Sequence, residues 1–250
     1  MTDLIEYAVI PLFFFLVAAL YSSVGQAGGT GYVAIMGLMG FAPDVIKPAA
    51  LVLNILVAAI GCLRFARARL LSWRSLYPFA ILGAPFSILG GATNLPPALY
   101  HPSVGALLLL ASLLMLRTAW RASTLDSAAP SEPPFFPSLI AGGTLGYVSG
   151  VTGVGGGIYL APLILALGWT TTRQAAGISA VYNLLNSSAA LAGAYMKPLS
   201  FSPAMPSWLV AVAIGAVLGS WAGARHLPPT LLRYILGGIL FIAALRMLAS

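Results

Sequence analysis

The sequence predicts an all-α polytopic membrane protein made of two inverted-topology repeats of about five segments each, with glycine-broken or re-entrant short helices. Three observations predict it. The chain is 60% apolar and 7% charged, with a mean hydropathy of +0.96, which excludes an ordinary soluble domain. Two glycine-rich stretches, GQAGGTGY at Gly25–Tyr32 and GVTGVGGGIYLAP at Gly150–Pro162, interrupt apolar runs that otherwise read as helix. Finally, the Lys/Arg bias of equivalent loops changes sides between the two halves.

Leu4–Val24 is long enough to cross a hydrocarbon core of roughly 30 Å, which takes about 20 residues. Gly25–Gly40 reads as a break followed by a half-span, because Gly31–Gly40 is too short to cross. Val45–Phe65, Leu76–Ala92 and Ser103–Trp120 supply three ordinary spans, with Pro43, Pro48, Pro78, Pro96, Pro97 and Pro102 near their starts or in turns. Residues 1–121 form the first repeat. The stretch Ala122–Pro137 carries Ser123, Asp126, Ser131, Glu132 and four prolines, and residues 122–136 are read as a cytoplasmic linker. The second repeat, 137–250, runs through a short Ser138–Ser149, the glycine break, a short Ile158–Leu167, then Gln174–Tyr195, Ser207–Ala224 and Thr230–Leu248.

Residue matches support the duplication. Tyr21 and Tyr147 precede the breaks, Gly28-Gly29 matches Gly155-Gly156, and Tyr32 matches Tyr159. Leu95-Pro96-Pro97 matches Leu227-Pro228-Pro229, and Gly105 matches Gly237 at the same offset. The loop before the fourth segment holds Arg64, Arg67, Arg69 and Arg74 in the first half but only Lys197 in the second. Before the fifth segment the bias reverses, with no Lys or Arg around Asn94–Pro102 but Arg225 and Arg233 around Leu227. Equivalent loops therefore face opposite sides, and the positive-inside rule puts the arginine loops in the cytoplasm with both termini outside. Trp73, Trp120 and Trp169 fit an inner interfacial belt and Trp208 an outer one. The net charge of +7, from twelve basic and five acidic residues, is thus assigned to membrane orientation; no nucleic-acid partner is expected. Asp3 and Glu6 precede the first run in place of a basic signal-peptide head, so that span is expected to be retained.

Glycine costs a helix about 1 kcal/mol relative to alanine, so the breaks interrupt the helices. Irregular backbone at membrane depth is tolerated where protein or a watery cavity satisfies it, and a restarting helix N-terminus attracts anions. Paired broken helices in two halves are the pattern of a secondary transporter. Candidate substrate contacts are Gln26, Gly28, Gly29, Thr30, Thr152, Gly155, Gly156 and Gly157 in the breaks. Gln26, Thr30 and Thr152 have helix capping as their plainer alternative role. Ser179, Asn183 and Asn186 share one helix face beside the second break, with Ser187 adjacent; Asn54 aligns with Asn183 in the first half. Such a stripe lines a path or bonds neighbouring helices. Lys47 and Arg173 stand near the two mouths, where they would recruit anions or simply mark the interface. Glycine pairs such as Gly90-Gly91 and Gly237-Gly238 read as close-packing positions.

His101 and His226 fall in turns without an acid or second histidine nearby, and Cys62 is the single cysteine, so neither a metal site, a disulfide nor a cofactor is expected. All five acids lie near termini or in loops, so no span offers a carboxylate to relay a proton or hold a cation. Any coupled proton would travel on the substrate or through a loop histidine.

GVTGVGGGIYLAPLILALGW followed by RQAAGISAVYNLLNS resembles the sulfite exporter TauE/SafE-like membrane transporter family, and the resemblance covers essentially the whole chain. It implies a bacterial inner-membrane transporter, with duplicated halves, of a small anion: sulfite, sulfoacetate, thiosulfate or similar, or a carboxylate. The first half departs from the pattern, lacking the triple glycine and carrying Ile35 where Pro162 would match. The expected partners are the small anion and the lipid bilayer, and a homo-oligomer is compatible with the sequence. The alternatives are a channel-like anion facilitator and an intramembrane enzyme; against the latter, no Ser-His, His-Asp or paired-carboxylate set occurs within the spans.

Overall fold

The computed structural model describes residues 5–23, 25–69, 71–120, 131–196, 198–223 and 229–248. Asp3, Arg121, Asp126, Lys197, Arg225, His226 and the Leu227-Pro228 pair lie outside the described residues, as do residues 121–130 of the linker and the side chains of Arg173 and Arg233. Ten α-helices follow one another: α1 (Ile10–Ser23), entered through a π-helical turn Ile5–Val9, then α2 (Gly29–Leu38), α3 (Pro43–Arg67), α4 (Trp73–Ala92) and α5 (Pro97–Trp120). The second five are α6 (Phe135–Thr152), α7 (Gly157–Ala166), α8 (Thr172–Ala194), α9 (Met205–Gly223) and α10 (Pro229–Leu248). There is no strand among the described residues. Glu6–Ser23, Pro43–Arg67, Trp73–Ala92 and Ala98–Trp120 are long and apolar enough to cross a membrane; Gly29–Leu38, Gly157–Ala166, Met205–Trp221 and Tyr234–Leu248 are shorter apolar helices. The chain is an all-α polytopic membrane protein.

Local chemistry sets the helix ends. Proline occupies the first turn of α3, α5 and α10, where its missing N–H costs nothing. Ser72 accepts from the Ser75 N–H to cap α4, and Thr171 with Gln174 forms a capping box at α8. Three expectations change as a result. Because Pro97 can start a helix, α5 begins before Ser103 and His101 lies within it rather than in a turn. α6 starts at Phe135, inside the expected linker. It also continues through Gly150 to Thr152, so the second break is confined to Gly153–Gly156.

Gly150 stays helical because it is needed for contact. Gly142, Gly146 and Gly150 recur every fourth residue along α6, and a Cβ on each would run into the α4 backbone at Phe79, Gly83 and Ser87 respectively. Gly90 and Gly91 meet the α6 and α8 backbones in the same way, as close-packing positions. On the opposite flank, Gly215 and Gly219 of α9 lie against the carbonyls of Phe15 and Ala19 of α1.

α3 packs against α8. α4 packs between α6 and α8, while α9 packs on α1 and α3. α5 pairs with α10; α2 reaches α3 and α10, and α7 reaches α8 and α5. Each of these interfaces recurs when the first five helices are exchanged for the second five.

The larger apolar cluster centres on Phe14, whose ring makes edge contacts with Tyr32 and Trp208, each at 5.2 Å between centroids. Trp208 is fully buried and donates its indole N–H to the Glu6 carbonyl at 3.0 Å. It therefore sits between helices rather than in a lipid-facing belt, because Phe14 and Phe41 enclose its ring. Trp73 and Trp120 are 71% and 80% exposed, as belt residues would be. Trp169 is half-buried against Phe79.

Gly146→Val places a branched side chain on the Gly83 carbonyl and should abolish or sharply reduce the yield of monodisperse protein in detergent. Gly238→Ala, with nothing within 4 Å of the added atom, should leave yield and Tm within error of wild type. Size-exclusion profiles and thermal melts read both.

Candidate functional site

Two helices restart at the breaks: Gly31 and Tyr32 donate to the Gly28 carbonyl and Tyr159 and Leu160 to the Gly156 carbonyl, which leaves the first two N–H groups of each helix without a helical carbonyl. α2 begins after Gly28, whose φ of +87° is left-handed. α7 begins at Gly157, whose N–H points toward Asn183 Oδ1 at 3.5 Å. The two breaks touch. A Cβ on Gly29 would overlap the Val154 carbonyl, and one on Gly155, at φ +83°, would overlap Asn54 Nδ2 and Asn183 Oδ1. Bare backbone is what lets the breaks nest over this pair of asparagines.

Asn54 and Asn183 occupy the facing surfaces of α3 and α8. Asn54 Nδ2 donates to Asn183 Oδ1 at 3.1 Å and to Ser187 Oγ at 2.8 Å. Asn54 is fully buried, yet its Oδ1 has no partner among the described residues. The same holds for Ser179 Oγ, Gln26 Oε1 and Ser22 Oγ. All four side chains line one cavity between the breaks, together with Gly28, Gly29, Thr30, Gly155, Gly157 and Asn183. An unpaired buried polar group costs about 1–3 kcal/mol, so four around one space call for a polar occupant. The cavity is narrow, about 30 Å³, room for roughly two waters. From the breaks it continues toward the C-terminal end of α3, where Arg64 and Phe65 line it.

Not every sequence candidate reaches this space. Thr152 donates its hydroxyl to the Val148 carbonyl at 2.8 Å, and its own carbonyl accepts from Tyr100 at 2.9 Å. Gly156 faces the Tyr182 ring, and Asn186 lies beside Gly83 and Gly156. None of the three lines the cavity. Thr30 does, though its hydroxyl is shared with Tyr21 at 2.7 Å, tying α1 to α2 across the first break. Sequence reasoning passed over Ser22, which carries no spacing signal, and Arg64, which read only as a marker of orientation.

Lys47 has a different role from a mouth-side attractant. It is 5% exposed, and its ammonium donates to the carbonyls of Gly90, Gly91 and Thr93 at 3.1, 2.6 and 2.7 Å. It caps the C-terminal end of α4, where the helix dipole is negative. A second cavity of about 270 Å³ lies here, lined by Pro43, Lys47, Asn94, Tyr100, Val151 and Leu199 among others. Two turns of α3, about 10 Å, separate Lys47 from Asn54, so the cavities flank the break layer from opposite ends of α3. The salt bridge of Arg74 to Glu132, at 3.3 Å, is exposed, and neither residue lines either cavity. The described residues also contain no His/Cys/Asp/Glu group able to hold a metal.

A bundle of apolar helices with two broken segments nested round a polar interior space has the form of a membrane transport protein. The family model of the sulfite exporter TauE/SafE matches residues 10–247, and the chain belongs to that family. A protein of Sinorhizobium fredii, strain NBRC 101917 / NGR234, described as a probable membrane transporter protein, is 47% identical over 235 residues, covering 94% of this chain and 95% of the relative. No solved structure matches the chain.

Gly155→Ala should separate Asn54 from Asn183 and cost about 1–3 kcal/mol through strain at positive φ and the lost hydrogen bond. Lys47→Met should lower stability by roughly 2 kcal/mol, because three carbonyls lose a charged donor. Thermal melts of the purified variants test both, with a fall of several degrees expected for each.

Proposed function

We propose that the protein transports a small, weakly acidic oxyanion, sulfite or a related sulfur-containing or carboxylate anion, through the cavity between the two glycine breaks. The observation that carries this reading is the convergence of Ser22 Oγ, Gln26 Oε1, Asn54 Oδ1 and Ser179 Oγ, buried and unpartnered, on that cavity. The Gly29, Thr30 and Ile158 N–H groups at the starts of α2 and α7 and the hydroxyls of Ser22 and Ser179 supply donors for oxyanion oxygens. Each helix N-terminus carries roughly half a positive charge, so two offset about one negative charge. Asn54 Oδ1 and Gln26 Oε1 are acceptors that suit a proton carried by the substrate itself, as in hydrogensulfite. Among the described residues no acidic side chain lines the cavity, which disfavours cations.

The cavity must widen for such an ion to pass. The larger cavity beside Lys47 and the Arg64 end of the narrow one would then be the outer and inner vestibules of an alternating-access cycle. The exchange-related helix interfaces support an inverted repeat, with the two halves rocking about α3 and α8. The arginine bias supports an inner-membrane orientation with Arg64 cytoplasmic and both termini outside.

In proteoliposomes, the purified protein should exchange at least one of sulfite, thiosulfate, sulfoacetate or a simple carboxylate, and no organic cation. Asn183→Leu and Ser179→Val should each reduce that flux at least tenfold while folded yield is kept; undiminished flux in both refutes the site. Flux of a cation, or of none of the anions, refutes the anion reading. Orientation is read in a Cys62→Ala background. A cysteine at Leu71 should resist an impermeant thiol reagent in intact cells, and one at exposed Ser200 should react; labelling of both from the same side removes the inversion.

A further inference from the structure

We propose that Arg64 is the entry cation of the central cavity, pairing with the oxyanion at the inner neck before the ion passes to the neutral groups at the breaks. The inference rests on the transport reading and adds the residue that sets anion selectivity on that side. Arg64 is the one charged residue lining the cavity among the described residues. It is half-buried, and among the described residues no hydrogen bond or ion pair engages its guanidinium. Phe65 and Gly25 line the cavity beside it and pack closely: a Cβ on Gly25 would come within 3.0 Å of the Phe65 ring and of the Ala176 methyl behind it. Gln26 and Ser220 also line the cavity, Ser220 with its hydroxyl donated to the Val217 carbonyl. A planar guanidinium grips two oxygens of one oxyanion, so a half-buried, unpaired arginine at a neck selects for such ions as well as attracting them.

The plainer role for Arg64 is to offset the C-terminal dipole of α3, since it lies in the last helical turn. Arg67 occupies the same turn but is exposed and does not line the cavity. The two roles therefore separate by position. Dipole compensation and bulk surface charge are shared by both arginines, whereas contact with a passing ion belongs to Arg64.

Uptake of radiolabelled sulfite into inside-out membrane vesicles tests this. In wild type KM should rise with ionic strength; R64Q should raise KM roughly tenfold with a smaller change in the maximal rate, and should flatten that rise. R67Q should behave as wild type. R64K keeps the charge but loses the planar fork, and should raise KM severalfold with the salt dependence retained; it decides the matter where R64Q fails to fold. Wild-type KM in R64Q or R64K, or an equal rise in R67Q, overturns the role of Arg64. A wild-type protein that moves no anion overturns the transport reading instead, and this inference with it.

Discussion

The structure depends on backbone meeting backbone in a place where backbone cannot be left bare. Helix ends inside a bilayer expose N–H and C=O groups that lipid cannot satisfy, and here two such ends are pressed together. Gly29 lies against the Val154 carbonyl, and Gly155 lies over the Asn54–Asn183 hydrogen bond. Any side chain at either position would force the breaks apart. Asn183 Oδ1 accepts from the Gly157 N–H at 3.5 Å, so its amide partly replaces a missing backbone partner. Because the replacement is incomplete, polar atoms remain that face a shared space. The candidate site is thus a by-product of how the breaks are closed.

Glycine does two physically different jobs in this chain. At Gly28 and Gly155 it supplies a left-handed φ. Along α6 it supplies absence of volume, letting α4 approach until the Phe79, Gly83 and Ser87 backbones fill the positions of the missing side chains. Lipid offers no hydrophobic drive for helices to associate, so close packing of this kind and bonds such as Ser87 Oγ to the Gly146 carbonyl, at 3.0 Å, hold the bundle together. The rigid pairs that result, α4 on α6 and α1 on α9, brace the contact between α3 and α8.

Charge follows the same economy. Three carbonyls at the end of α4 hold the buried Lys47 ammonium, which also ties the start of α3 to the end of α4. Glu6 is held by the Ser202 hydroxyl at 2.9 Å and Glu132 by Arg74. At the breaks themselves the cavity is lined by backbone dipoles and neutral side chains such as Asn54, Asn183 and Ser179, which can meet a charge without a buried ion of their own.

Hydropathy, the length of the apolar runs and the two glycine clusters determined by themselves that this is a helical membrane protein with broken segments, because those properties are summed along the chain and need no partner. The stripe Ser179–Asn183 and the aligned Asn54 were likewise legible, since helical periodicity alone brings them to one face. Tertiary structure decided which of these groups meet. Asn186 shares the stripe but turns toward Gly83 because α4 packs closely there, and Thr152 is spent on its own helix and on Tyr100. Lys47 and Arg64, two cations of one helix, part company in the same way: one finds the end of α4 and the other lines the cavity. Sequence periodicity names the face a residue occupies, whereas the identity of what stands opposite comes from segments far along the chain. That distance is why Gly150, read as part of the break, proved to be a helix contact with Ser87.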